Sequence, residues 1–190
     1  VKLLERNTDP LVTGVVALSG RRHVTGLEID VSGRLNPKWE VFGSFMWIPD
    51  AKVDQAAPCP ATGACTQSGE QAGARPSLTP LYSGTLWSTY QLTQPLRVGA
   101  GINFRGEQTP NRNPGWTVPG YETLDLMAEY RFNERYTLKG NINNATDVRY
   151  ADQLYSGHYI PGAARTVQFS TGGLADTATG CCPTREAVGH

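Results

Sequence analysis

Apolar and polar residues alternate one for one through most of this chain, a period of two that specifies strands and is incompatible with an amphipathic helix. In Gly26 to Leu35, the residues Leu27, Ile29, Val31 and Leu35 alternate with Glu28, Asp30, Ser32 and Arg34. Val98, Ala100, Ile102 and Phe104 alternate with Arg97, Gly99, Gly101, Asn103 and Arg105, and Leu124, Leu126, Ala128 and Tyr130 with Asp125, Met127, Glu129 and Arg131. The same period returns in Leu138 to Asn143 and in Thr166 to Phe169. The runs predict eight strands, at about 1–7, 14–35, 39–51, 77–91, 96–106, 121–132, 136–145 and 164–171. Several reach the 9 to 11 residues a tilted strand needs to cross a bilayer, and exceed the usual globular strand.

Three connections are tight and made of turn-forming residues: Asn36-Pro37-Lys38, Thr93-Gln94-Pro95 and Asn133-Glu134-Arg135. The segments 52–76, 107–119 and 146–162 are long and rich in Pro, Gly, Asn, Gln and Arg, and a shorter break spans Asn7 to Gly14. Alternating short and long breaks put all short turns at one end of an antiparallel sheet, as in outer-membrane barrels. Trp39, Tyr90, Phe132 and Tyr136 fall beside the short turns and Trp47, Trp116 and Tyr121 near the long loops, the positions of two interfacial girdles. A soluble sandwich also alternates apolar and polar. The two readings differ in whether Leu27, Ile29, Val31, Ala100, Ile102 and Phe104 face lipid or a second sheet.

Composition narrows the function classes. Lys+Arg and Asp+Glu balance at 17 each, whereas a nucleic-acid surface shows as a basic excess, so no nucleic-acid partner is expected. The mean hydropathy of -0.37 is uninformative for a barrel, half of whose strand residues face water. No stretch approaches the roughly 18 to 20 apolar residues of a membrane-spanning helix. The chain starts abruptly at Val1 and no export signal is visible, so it is either cytosolic or lacks its beginning. Cys59 and Cys65 share one Pro/Gly/Thr-rich loop and read as a local disulfide of an oxidising compartment, with a zinc site as the rival reading; Cys181 and Cys182 are adjacent. No catalytic constellation is present. Glu28 and Asp30 sit on one strand face as lumen-type charge, and His23, His158 and His190 have no metal-ligand spacing.

A set of ordered motifs carries a family resemblance from about residue 1 to about residue 171. Asn7-Thr8-Asp9-Pro10 is followed by Ser19-Gly20-Arg21-Arg22 and Thr25-Gly26-Leu27-Glu28, and Arg34 to Trp39 form the next turn. Val118-Pro119-Gly120-Tyr121 leads into a late strand; Gly140 to Asp147, with Tyr150 after it, forms an Asn-rich signature; and Pro161-Gly162-Ala163-Ala164-Arg165-Thr166 opens the last strand. Each motif is weak alone, but their order and spacing resemble the TonB-dependent outer-membrane siderophore receptors of Gram-negative bacteria. The resemblance implies an all-β, antiparallel transmembrane barrel of about 22 strands, of which this chain supplies about eight C-terminal ones, an open curved sheet if isolated. Residues 1–172 are then barrel. The plug and TonB box, through which the TonB complex would be engaged, lie outside these residues.

The resemblance further implies ferric siderophore as ligand, iron arriving as cargo with no resident cofactor, and outer-membrane lipid around the wall. A receptor for cobalamin or a glycan is the related alternative. A ferric siderophore is bulky, partly aromatic and often anionic, so its site should combine aromatic faces with cationic donors in a loop-lined vestibule. Arg105, Arg112 and Trp116 in or beside one long loop, and Tyr155, His158 and Tyr159 in another, are the candidate ligand-binding residues. One departure stands out: Phe169-Ser170-Thr171-Gly172 runs into a small-residue tail, 173–190, where the family ends on an aromatic residue. That tail is expected to be disordered and reads as read-through or a frameshift.

Overall fold

In the computed structural model, residues 2–8, 16–56, 70–111 and 115–173 are described, with side chains from residue 20 onward. Ten strands follow in order: β1 (Lys2–Thr8), β2 (Val16–Asn36), β3 (Trp39–Gln55), β4 (Tyr82–Gln91), β5 (Leu96–Arg105), β6 (Tyr121–Arg131), β7 (Tyr136–Asn143), β8 (Ala151–Leu154), β9 (Tyr159–Pro161) and β10 (Thr166–Gly173). No helix occurs among the described residues. Eight strands form one open antiparallel sheet in the order β1-β2-β3-β4-β5-β6-β7-β10, and β8-β9 is a separate hairpin. Each pair in the large sheet is antiparallel, so the chain runs up and down like the wall of a barrel.

The alternation expected from sequence sorts cleanly onto two faces, because residues directly opposite in register share a face. One row crosses the sheet through Val41, Ser88, Ala100, Leu126, Ile142 and Val167, and a second through Val31, Gly43, Leu86, Ile102 and Leu124. Among the described residues nothing covers this apolar face: every packed pair of strands is a pair of hydrogen-bonded neighbours, and Leu27, Val31 and Val167 remain about half exposed. A sandwich requires a second layer packed here, and the described strands supply none. The reverse face carries Arg34, Glu40 and Thr89 in one row and Asp30, Ser44, Thr85, Asn103 and Thr123 in another. No described large side chain is fully buried, as fits a wall and not a core.

Two aromatic rows bound the apolar face. Trp39 lies opposite Tyr90 near the short turns, with Tyr130 and Phe132 in edge contact at 4.9 Å, and Trp47 lies opposite Tyr82 near the loops. Trp39 and Trp47 are eight residues apart, which at about 3.3 Å per residue is about 26 Å along the strand, close to the height of a barrel's apolar band. Two aromatic residues expected in the loop-side girdle are placed otherwise. Tyr121 is opposite Arg105 on the polar face, and Trp116 lies in a loop.

Each short turn closes on its own polar atoms. The Asn36 side chain accepts from the Lys38 amide (2.8 Å), and Asn133 accepts from the amides of Arg135 (2.8 Å) and Tyr136 (2.9 Å). Thr93 and Leu96 exchange backbone bonds across the middle turn. At the loop end the expected boundaries shift. β3 runs on to Gln55, and β4 starts at Tyr82, after a segment in which Pro76 and Pro80 remove backbone donors and Leu78 adopts a positive φ of 58°. The segment expected as one loop at 146–162 contains the β8-β9 hairpin. The described part of the final expected strand extends to Gly173; 174–190 lie outside the described residues.

Candidate functional site

The loop end is built up from the polar face of the wall. Thr85 Oγ1 donates to Asn103 Oδ1 (2.8 Å), Asn103 Nδ2 donates to Asp125 Oδ2 (2.9 Å), and Asp125 Oδ1 accepts the Asn144 amide (2.8 Å). This relay crosses β4, β5 and β6 and ends on the residue after β7. Asn144 is only 4% exposed, in left-handed backbone at φ 50°, a conformation a short amide side chain tolerates. Its Nδ2 donates to the carbonyls of Val148 (2.9 Å) and Ala163 (3.0 Å), while its Oδ1 accepts the Val148 amide (3.0 Å). Asp147, also at positive φ (55°), accepts the Arg165 amide (3.0 Å). Two polar residues of the sequence signature, Asn144 and Asp147, thus tie together both stems of the segment that carries β8 and β9.

Above those stems the hairpin turns at 155–158, where the Tyr155 amide donates to the His158 carbonyl (2.9 Å) and the two rings stack at 4.8 Å. The preceding loop is held by a bridge between Gln108 and Val118, and Gln108 Nε2 donates to the Leu78 carbonyl (3.2 Å). Between that loop and the hairpin lies a cleft of about 1000 Å³, lined by Pro110, 116–120, 148–151, 154–159, Pro161, Gly162 and Ala164. Its described lining offers the aromatic groups of Trp116, Tyr150, Tyr155 and Tyr159, together with Arg149 and His158, and no carboxylate. Trp116 is 74% and Tyr159 60% exposed, so their rings are open to a ligand.

The structure therefore brings four of the sequence candidates, Trp116, Tyr155, His158 and Tyr159, onto one cleft from two separate loops. Arg105 is near but differently engaged. Its Nη2 donates to the carbonyls of Ala151 (2.6 Å) and Asp152 (3.0 Å), and its guanidinium lies 5.0 Å from the Tyr121 ring centre. Arg112, and the Cys59 and Cys65 of the expected disulfide, lie outside the described residues. Sequence reasoning missed Arg149 and left Tyr150 as a motif position only. Tyr150 packs against Tyr121 with ring centres 4.1 Å apart and planes tilted by 30°, and its hydroxyl pKa is held above the ordinary 10.0 by burial, then by Tyr121, Asp152 and Asp125, against a hydrogen bond at Ala163.

A second polar cluster lies on the same face near the short turns, where Glu40 receives Arg34 Nε (2.8 Å) and Arg97, and Arg97 also reaches Thr89 (3.0 Å). The chemistry there is consumed internally, cation against carboxylate. Higher on the wall, His23 sits between Asp54 (2.7 Å) and Asp50 (3.2 Å), and Arg22 pairs with Glu70 at 3.2 Å. Among the described residues, no group of three or more acidic, His or Cys side chains is arranged to hold a metal ion.

Comparison with known proteins gives one consistent answer. Residues 4–145 match the family model described as TonB dependent receptor-like, beta-barrel. The chain is 33% identical over 177 residues to a protein of Bordetella pertussis named "Probable TonB-dependent receptor BfrD", covering 86% of this chain and 22% of that protein. It is 30% identical over 169 residues to the catecholate siderophore receptor Fiu of Escherichia coli, covering 86% of this chain and 20% of Fiu. The crystal structure of the siderophore receptor PiuA from Acinetobacter baumannii superposes with a TM-score of 0.77 at 26% identity, over 89% of this chain and 24% of PiuA. The chain thus spans about a fifth of the length of the curated relatives it matches.

Proposed function

Because the chain belongs to the TonB-dependent receptor-like β-barrel family, we propose that it forms the loop-bearing C-terminal wall of an outer-membrane receptor that takes up ferric siderophores. The wall sits in the outer membrane of a Gram-negative bacterium, with its apolar face against lipid. Energy comes from the TonB complex acting through an N-terminal region that these residues do not include. Iron arrives as cargo, and the wall holds no cofactor of its own.

The observation that carries this reading is the cleft at the loop end. Four aromatic groups, one guanidinium and one imidazole converge there, and the described lining holds no carboxylate. A ferric catecholate is a bulky polyanion with flat aryl rings. Rings stack on aromatic side chains, and its anionic oxygens are met by the Arg149 guanidinium and an imidazole N–H of His158. A cationic or neutral sugar-like cargo finds few of the acidic or amide groups it would need. That Fiu is a catecholate siderophore receptor supports the same cargo class.

The test is binding of a radiolabelled ferric tris-catecholate to cells carrying the full-length receptor that contains this segment. Trp116→Ala and Tyr159→Ala are each expected to weaken binding by about tenfold, equivalent to about 1.4 kcal/mol. Unchanged binding in both, or displacement of the label by cobalamin or a glycan, overturns the proposal.

A further inference from the structure

We propose that Arg105 is a positioning residue, which sets the pose of the β8-β9 hairpin over the cleft without itself contacting the cargo. The inference rests on the cleft being the cargo site. A lone Arg beside a vestibule reads from sequence as an anion ligand, but its geometry here assigns it elsewhere. It is not among the residues lining the cleft, and its Nη2 is engaged by two main-chain carbonyls of the hairpin's first strand.

That engagement needs an irregularity in the hairpin. Successive carbonyls of a regular strand point to opposite sides, so one guanidinium nitrogen could not take both Ala151 and Asp152. The register between β8 and β9 shifts between Ala151 and Gln153, leaving Asp152 as the additional residue. The bulge re-aims its carbonyl beside that of Ala151. Among the described strands β8 has β9 as its single neighbour, and the Arg105 side chain adds two donations to its main-chain carbonyls.

A contiguous series extends the grip to the other stem. The Arg105 guanidinium lies against Tyr121, Tyr121 packs against Tyr150 in a tilted ring contact, and Tyr150 faces Gly162, just beyond β9. A Cβ at Gly162 would lie 2.1 Å from the Tyr150 ring, and the Gly162 amide donates to the Tyr150 carbonyl (2.8 Å). Arg105 thus holds the first strand, and Tyr150 against Gly162 holds the second. The tip rings of Tyr155 and Tyr159 stay 43% and 60% exposed. A clamped base with open tips fixes the distance across the cleft to Trp116, which is what a rigid aryl chelate requires.

The experiment uses the full-length receptor in outer membranes, with the ferric tris-catecholate as probe. Arg105→Ala and Gly162→Ala are each expected to weaken binding about tenfold and to raise amide exchange across 151–161. Arg105→Lys, which can reach a carbonyl but brings no planar cation to Tyr121, should restore binding in part. The double variant Arg105→Ala/Tyr159→Ala should lose less than the product of the single losses, because the first acts through the second. Multiplicative losses mean that Arg105 contacts the cargo directly and overturn the proposal. So does unchanged binding in Arg105→Ala and Gly162→Ala while Trp116→Ala and Tyr159→Ala bind poorly, an outcome that leaves the cleft in place. If Arg105→Ala fails to assemble, Gly162→Ala decides alone. If the Trp116 and Tyr159 variants bind normally, the cleft reading fails, and unaltered exchange across 151–161 in Arg105→Ala then rejects the clamp separately.

Discussion

At the short-turn end, Asn36 and Asn133 close their turns by reaching two or three residues along the chain, whereas at the loop end Asn144 reaches 19 residues, Arg75 reaches 27 and Arg105 reaches 46 and 47. The same strands are therefore finished by different means at their two ends. The turns are encoded locally and form as soon as the flanking strands meet. The loop end can organise only after the wall has set its register, because its anchoring groups stand on β5 and β6 and after β7. This separation leaves the loop end adjustable, since loop residues can change without disturbing the turns that set strand pairing.

The largest effect should fall on the nonlocal anchor. Asn144→Ala removes three hydrogen bonds at a buried position and leaves alanine in left-handed backbone, costing about 4 kcal/mol at the loop end. Amide exchange and protease nicking over 148–164 should rise, with the short turns unaffected; protection unchanged there would dissolve the contrast between the two ends. Next comes Leu126→Arg, in the middle of the apolar face opposite Ala100 and Ile142. A cation at mid-bilayer costs about 3 kcal/mol and should lower the barrel's denaturation midpoint without a preference for either end.

A smaller loss, about 1 kcal/mol, is expected for Asn133→Ala, whose lost bonds are exposed and replaceable by water. The same denaturation measurement checks it, and a loss exceeding that of Asn144→Ala would reverse the comparison. The smallest effect concerns pH. Tyr150 holds its proton more tightly in the folded state, so its contribution is fully present below the unfolded value near 10.0 and is lost as pH rises through the higher folded value. Nicking of 148–164 by an alkali-tolerant protease, relative to that of an unfolded substrate at the same pH, should increase in that window in the wild type, and Tyr150→Phe should not show the increase.

How much of this was legible in the sequence divides along the same line. The period of two placed the wall strands, and Asn36 and Asn133 marked the turns, because both signals are local. The Asn144 and Asp147 signature was visible as a pattern, but its role as a tie between two stems depends on Ala163 and Arg165, which approach only in the fold. The β8-β9 hairpin was missed because runs of four and three residues are too short to show a period. Trp116, Tyr155, His158 and Tyr159 were chosen from residue chemistry, and the fold places them on one cleft. Arg105 was chosen for its charge; the bulge at Asp152 that engages it leaves no mark in composition.

β1 and β10 each have a single neighbour among the described strands, so each presents a row of backbone amides and carbonyls along its outer side. Hydrocarbon offers those groups no partner, and each one left bare there costs several kcal/mol. The wall cannot enter lipid as an open ribbon, however apolar its face. Insertion and the pairing of these two borders with other strands must be a single event, and until then the same borders recruit any strand they meet, including those of another copy.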